Sequence, residues 1–274
     1  YEAVIAGGIE HMTRVPMGSN AMGPGEGPLS PQLQSRYEIV PQGISAEIIA
    51  ETWGLKRDEL DAFAARSHER AGQVIAEGRF AREIVPVTLP GGSVFDTDEG
   101  VRVPVDRDKM ASLAPSFKPD GVITAANSSQ ISDGAAALLI MSADKARTLG
   151  LRPRARIVAT ALAGVDPRIM LTGPIPATQR VLKKAGLRLD DIDRFEINEA
   201  FASVVLAWER ELHPDMDTVN VNGGAIALGH PLGCSGARLM TTLLHELERS
   251  GTRYGLQTMC IGFGQGIATL IERL

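Results

Sequence analysis

Three residues of this chain are equipped for chemistry on a carbonyl, and each stands in a loop or at the end of a strand pattern. His230 lies in Gly229-His230-Pro231, followed by a second turn, Gly233-Cys234-Ser235-Gly236. An imidazole held on a constrained loop near a helix start suits acid–base work. Cys260 opens the stretch Cys260-Ile261-Gly262-Phe263-Gly264-Gln265-Gly266. A thiol there can act as nucleophile or proton carrier, according to its pKa. Asn198 opens Asn198-Glu199-Ala200-Phe201, directly after a strand pattern. Its amide or a water it holds, like the backbone N–H groups of a glycine turn, can donate to a developing oxyanion. A fourth polar cluster, Asn127-Ser128-Ser129-Gln130-Ile131-Ser132-Asp133-Gly134, is the remaining candidate for the same site.

Each feature alone has a plainer reading. Cys260 ends an apolar run and reads as a buried small hydrophobe. Cys234 sits among small residues and reads as packing. Asn198 precedes a helix pattern and reads as an N-cap. Gly262, Gly264 and Gly266 mimic a dinucleotide loop, but they join two strands and no helix follows. A zinc site from His230, Cys234 and Cys260 lacks ligand pairs at the usual spacing, so no metal is expected.

The elements that must position these groups alternate between strand and helix, which implies βαβ architecture. A strand at Glu2–Ile5 leads into a long irregular loop, Glu10–Gly43. Helices follow at Ser45–Trp53 and Asp58–Ala76. In the second of them Leu60, Phe63, Ser67, Ala71 and Val74 form a core-facing stripe. Pro90–Asp120 is a second irregular region. Gly134–Met141 is a continuous apolar run, the pattern of a strand buried on both faces. In the second half, strands are expected at Arg156–Ala161, Asp193–Ile197 and Val219–Val221. Helices are expected at Pro176–Ala185, Glu199–Glu211 and Gly233–Arg249. Two closing strands, Tyr254–Ile261 and Ile267–Ile271, form an antiparallel hairpin. In open α/β sheets ligands gather at strand ends, where all four clusters fall.

Composition narrows the function further. The chain has 274 residues, 44% hydrophobic and 22% charged, with a net charge of −5. No basic block is present, so a nucleic-acid partner is not expected. No run is long enough for a membrane-spanning helix. Two cysteines fit a reducing compartment, and a cytoplasmic location is expected.

At these residues the chain resembles the thiolases, which cleave or form 3-ketoacyl-CoA. The matching segments are Gly7–Met17, Gly121–Ala137, Ile197–Ala202, Asn220–Arg238 and Cys260–Ala268, in family order and across nearly the whole chain. The resemblance implies an α/β thiolase fold with two similar halves, each a five-stranded mixed sheet covered by helices, plus an inserted loop domain. Residues 1–150 would be the remainder of the N-terminal half, with the insertion from about Ile9 to about Asp120. Residues 151–274 would be the C-terminal half. A homodimer or homotetramer is implied. So is coenzyme A as co-substrate, beside acyl-CoA, with no permanently bound cofactor.

The resemblance also implies roles. His230 would activate the nucleophile and help hold the thioester oxygen. Cys260 would be the second cysteine, shuttling the proton at the acetyl α-carbon. Asn198 would fix a water in one oxyanion hole, and the Gly262 N–H would donate in the other. Ser129, Ala125, Phe117, Met170, Ala200 and Phe201 would contact the pantetheine and acyl part of CoA.

Two departures stand out. The family's nucleophilic cysteine precedes the segment that opens this chain, and neither cysteine here occupies its motif. The strand pattern beginning at Tyr1 likewise implies that an N-terminal segment is missing and the first half incomplete. The chain alone would then lack the acylation step, and an acyl-CoA-binding or assembly fragment is the alternative. The second departure is Phe263, where a glycine is common; its ring either reshapes the acyl pocket or packs. The Asn198–Ala202 motif, Cys260 and Met17 together lean towards a degradative enzyme of fatty-acid or sterol side-chain breakdown.

Overall fold

The structure is a computed structural model that describes residues 1–23 and 29–274. Part of the expected Glu10–Gly43 loop, residues 24–28, therefore lies outside the described residues.

In the first half, β1 (Ala3–His11) runs straight through Gly7 and Gly8 and pairs antiparallel with β4 (Asp133–Met141). Between them lie α1 (Pro31–Gln34), α2 (Gln42–Thr52), α3 (Arg57–Ala76), the small hairpin of β2 (Val87–Thr88) with β3 (Val94–Phe95), and α4 (Arg107–Ser112). The stripe expected on α3 is buried at all five positions. The expectation for β4 is corrected: its residues alternate between half-covered and exposed, and Leu139 is 63% exposed. The cause is that β1 and β4 form a two-stranded sheet, and among the described residues only one face meets a helix. Side chains on a strand alternate between faces, so every second one points away from that helix.

After α5 (Ala143–Thr148), the second half forms a four-stranded sheet in the order β5 (Ala155–Gly164), β8 (Gln265–Arg273), β7 (Tyr254–Ile261), β6 (Arg194–Ile197). β6 and β7 are parallel and the other pairs antiparallel. The expected strand at Val219–Val221 is reduced to one parallel bridge, Phe195 to Val219, at the outer edge of β6. Adjacent residues of β8 serve opposite faces: Leu270 enters the main core, and Ile271 packs with Leu243 and Leu247.

The first of those faces is covered by α6 (Pro174–Ala185) and α7 (Ala202–Leu212), locked together by Trp208, whose indole N–H donates to Thr178 at 3.1 Å. Pro174 begins α6 and Gly186 ends it in the left-handed region, where glycine is tolerated. The other face carries α9 (Ser235–Ser250), preceded by the single turn α8 (Ala225–Leu228). Leu239, Leu243 and Leu247 recur every fourth residue on α9, and all are fully buried. Leu243→Ala is expected to cost about 2–5 kcal/mol, from lost transfer energy plus a cavity. A urea titration reads this as a lower midpoint at unchanged slope.

Asn198 does not cap α7. The helix starts at Ala202, with Phe201 in extended conformation at the N-cap and no side-chain cap. Residues 198–201 instead continue away from β6, and the Asn198 N–H donates to Thr258 O of β7. That leaves the Asn198 side chain available for another purpose.

Candidate active site

The parallel strands β6 and β7 end side by side, which places Asn198 next to the segment Thr258–Cys260. His230 reaches this edge from the turn after α8. Its Nε2 lies 3.2 Å from Asn198 Nδ2, and its Nδ1 lies 2.7 Å from Ser235 Oγ. The Ser235 hydroxyl donates to Pro231 O at 2.8 Å, so it accepts from His230 Nδ1–H. The imidazole is thus protonated at Nδ1 and presents Nε2 as its acceptor and base. Burial, with help from the Arg238 charge, pulls the His230 pKa down to about 4, so the ring is neutral at physiological pH.

Asn198 Oδ1 is buried with no hydrogen-bond partner among the described residues. An orphaned buried acceptor of this kind calls for a donor from solvent or ligand. Cys260, at the end of β7, is 7% exposed, and burial pushes its thiol up to about 12. It is therefore protonated at rest and suited to giving a proton rather than attacking a carbonyl. Two residues on, the Gly262 N–H donates to no described acceptor. An imidazole base and an amide meet just past β6, and a protonated thiol and a free N–H lie at the adjoining end of β7.

The surrounding residues join this edge in a continuous chain of contacts. Ser129 N–H donates to Ala200 O at 3.0 Å, and Ser128 bridges to Phe201. Phe201 and Phe117 meet edge to face at 5.9 Å. The Phe117 ring lies flat against α2: a Cβ on Gly43 would stand 2.1 Å from its Cδ1, so only glycine fits there. The neighbouring Gln42 reaches the Gly262 turn, 3.7 Å from where a Cβ on Gly262 would sit. Buried Met170 accepts at its sulfur from the Phe263 N–H, at 3.4 Å. Ala125 stands apart, exposed on the turn between Thr124 and Asn127. Phe263 has φ 66°, unusual for a bulky residue, and is 58% exposed in this chain.

Comparison with known proteins matches residues 1–144 to the thiolase N-terminal domain and residues 151–273 to the thiolase C-terminal domain. The chain belongs to the thiolase family. It is 49% identical to a steroid 3-ketoacyl-CoA thiolase of Mycobacterium tuberculosis, over all of this chain and 68% of that protein. It is 45% identical to a 3-ketoacyl-CoA thiolase of Bacillus subtilis, over 99% of this chain and 72% of that one. The crystal structure of the Bacillus anthracis acetyl-CoA acetyltransferase superposes with a TM-score of 0.89 at 41% identity, over the whole chain and 72% of that structure. The thiolase fold and an acyltransferase activity type follow from this membership. Among the described residues no helix is long and apolar enough to cross a membrane, and no three His, Cys, Asp or Glu side chains are grouped to hold a metal.

Sequence reasoning missed the residues that hold this thiolase site in shape. Ser235 fixes the histidine tautomer, yet as a serine at a helix start it reads only as a cap. Gln130 donates to Ile226 O and Ala227 O, both at 2.9 Å, tying the first half to the turn before His230. That turn is tight: Gly229 has φ 88°, and a Cβ there would lie 2.1 Å from Ser132 Oγ.

Glu199 is the deepest of the missed residues. It accepts from Ser67 Oγ (2.7 Å), Asn220 Nδ2 (2.9 Å) and Ile226 N–H (3.1 Å). Burial pushes its carboxyl up, and these three donors oppose that shift. Its partners lie on α3, beside β6 and in α8, so no local spacing in the sequence reveals them. Glu199→Ala is expected to cost about 3–5 kcal/mol, because three buried donors lose their acceptor. Glu199→Gln keeps the oxygen facing Ser67 and Ile226 but turns an amide N–H₂ towards Asn220, so it is expected to fall between. Chemical denaturation of the three proteins checks the order.

Proposed function

We propose that this thiolase cleaves 3-ketoacyl-CoA with CoA to give acetyl-CoA and a shortened acyl-CoA, or runs the reverse Claisen condensation. The observation that carries the reading is the Asn198–His230 Nε2 contact at the strand edge that also ends in Cys260. In this scheme the thiolate of a cysteine other than Cys234 and Cys260 attacks the substrate's ketone carbon. The bond between that carbon and the α-carbon breaks, and its electron pair goes to the α-carbon. Cys260 donates a proton there, and acetyl-CoA leaves. The thiol of free CoA then loses its proton to His230 and attacks the enzyme thioester, releasing acyl-CoA and the cysteine thiolate, and the proton on His230 passes to Cys260 to restore its thiol.

We assign His230 Nε2 as the base. Asn198 holds a water that stabilises the enolate oxygen, and the Gly262 N–H stabilises the oxyanion at the acylated cysteine. Phe117, Phe201, Ala200, Ser129 and Met170 line the path of the pantetheine and acyl chain, with the exposed Ala125 and Phe263 at its rim. Residues 1–150 and 151–274 act as the two halves, with the insertion from about Ile9 to about Asp120. The enzyme works in the cytoplasm as a homodimer or homotetramer, in degradation of fatty acyl or sterol side chains. Thiolysis of a 3-ketoacyl-CoA by the natively expressed enzyme tests the reading, and no CoA-dependent loss of substrate would refute it.

A second reading has this chain by itself holding acyl-CoA without turnover. It is favoured by the thiols: burial raises both Cys234 and Cys260, so neither offers a ready thiolate. Calorimetry of the 274-residue chain with CoA decides, since that reading requires saturable heat without thiolysis.

A further inference from the structure

The proposed chemistry leaves a cluster of cations unused. At the far end of its sheet an open cavity of about 470 Å³ is lined by Arg82, Arg152, Arg154, Arg273 and Glu248, with Pro153 and Leu274 between them. Arg273 N–H bonds to Arg253 O beside the start of β7, whereas Cys260 lies at its other end. Six residues of strand separate the two, about 20 Å. The cavity is therefore distinct from the catalytic edge.

Four guanidiniums and one carboxylate side chain, Glu248, line it, with Glu83 acting on Arg154 from nearby, in a chain of net charge −5. Arg154 occupies both Glu248 oxygens, each at 2.8 Å. Arg82 shares the same carboxylate at a looser 3.4 Å, and its side chain is 75% exposed. Arg273 spends donors on the Gly251 and Thr252 carbonyls that end α9. Arg152 has no side-chain hydrogen bond or ion pair among the described residues. Arg152 and Arg154 flank Pro153, and both line the cavity. Two of the four cations are thus uncommitted or nearly so, and like charges so close repel until an anion enters.

The planar guanidinium fork matches phosphate oxygens in pairs. The volume falls in the range of small-ligand sites and far exceeds one phosphate group. No aromatic side chain lines the cavity, so recognition rests on charge. We propose that this cavity binds a ligand carrying two or more phosphate groups, at a site separate from the catalytic one.

Calorimetry of the natively expressed enzyme with inorganic pyrophosphate, and in parallel with ADP, tests this at low ionic strength. Saturable one-to-one binding of pyrophosphate is expected. Arg82→Gln with Arg152→Gln should weaken it about tenfold or more, while Arg147→Gln with Arg188→Gln, a control pair of exposed cations elsewhere, should leave it unchanged. Arg152→Gln alone, which breaks no described contact, guards against loss of fold and should weaken binding in the same direction. Absence of saturable heat with both pyrophosphate and ADP, binding that Arg82→Gln with Arg152→Gln leaves unchanged, or equal weakening by the control pair would overturn the proposal. None of these outcomes depends on thiolysis.

Discussion

Replacing His230 by alanine is expected to lower kcat for thiolysis by about 10²–10⁴-fold, the usual worth of a positioned general base. The geometry says why the loss should fall on kcat more than on KM. His230 donates through Nδ1 to Ser235 and faces the reaction only through Nε2. Removing it takes away the base and frees Asn198 Nδ2, but leaves the apolar wall of Phe117 and Phe201 in place. Steady-state kinetics of the natively expressed enzyme measures the split, and a variant retaining near-parental kcat would remove His230 from the reaction.

The same substitution carries a stability signature with a definite sign. The folded pKa of His230 is about 4, below the ordinary 6.5. As pH falls from 6.5 towards 4, the unfolded chain takes up a proton that the native chain refuses. Native stability is therefore complete above 6.5 and declines through that window, by on the order of 3 kcal/mol for this residue. His68 is depressed to about 4 for the same reason, burial, and contributes in the same direction. His230→Ala should flatten the acid limb of the stability–pH curve without abolishing it, which urea melts across pH 4 to 7 would show.

What the sequence made legible, and what it hid, divides along a physical line. His230, Cys260 and Asn198 were visible because each sits beside a glycine turn or at the end of an apolar strand, and such local signals survive without a fold. The α3 stripe was visible because helical periodicity is also local. β4 misled because an apolar run reports what a strand could bury, not what covers it. Asn198 misled as a cap because the chain detours for four residues before α7 begins, and that detour is set by a hydrogen bond to Thr258, sixty residues away. Glu199, Gln130 and Ser235 escaped notice as supports because a buried polar residue acquires meaning only from partners that the tertiary fold delivers. The positioning half of the site is thus written in long-range hydrogen bonds, which no spacing reports.

Replacing Cys260 by alanine is expected to reduce kcat by a similar 10²–10⁴-fold while leaving the fold almost unchanged. The thiol is small and buried, and it is held protonated by burial that lifts its pKa to about 12. Alanine keeps most of its volume and exposes no unsatisfied group, so stability should shift by only about 1 kcal/mol. What disappears is the proton itself. A donor with so high a pKa releases its proton only to a stronger base, and the enolate at the acetyl α-carbon is one; alanine offers it nothing. Exchange of the acetyl-CoA methyl protons with deuterium oxide isolates this step from acyl transfer. The parent enzyme should exchange and the variant should not, even where CoA binds to both equally well. Should the variant exchange at the parental rate, the proton at that carbon comes from another group, and Cys260 is only the small apolar residue that its place at the end of β7 first indicated.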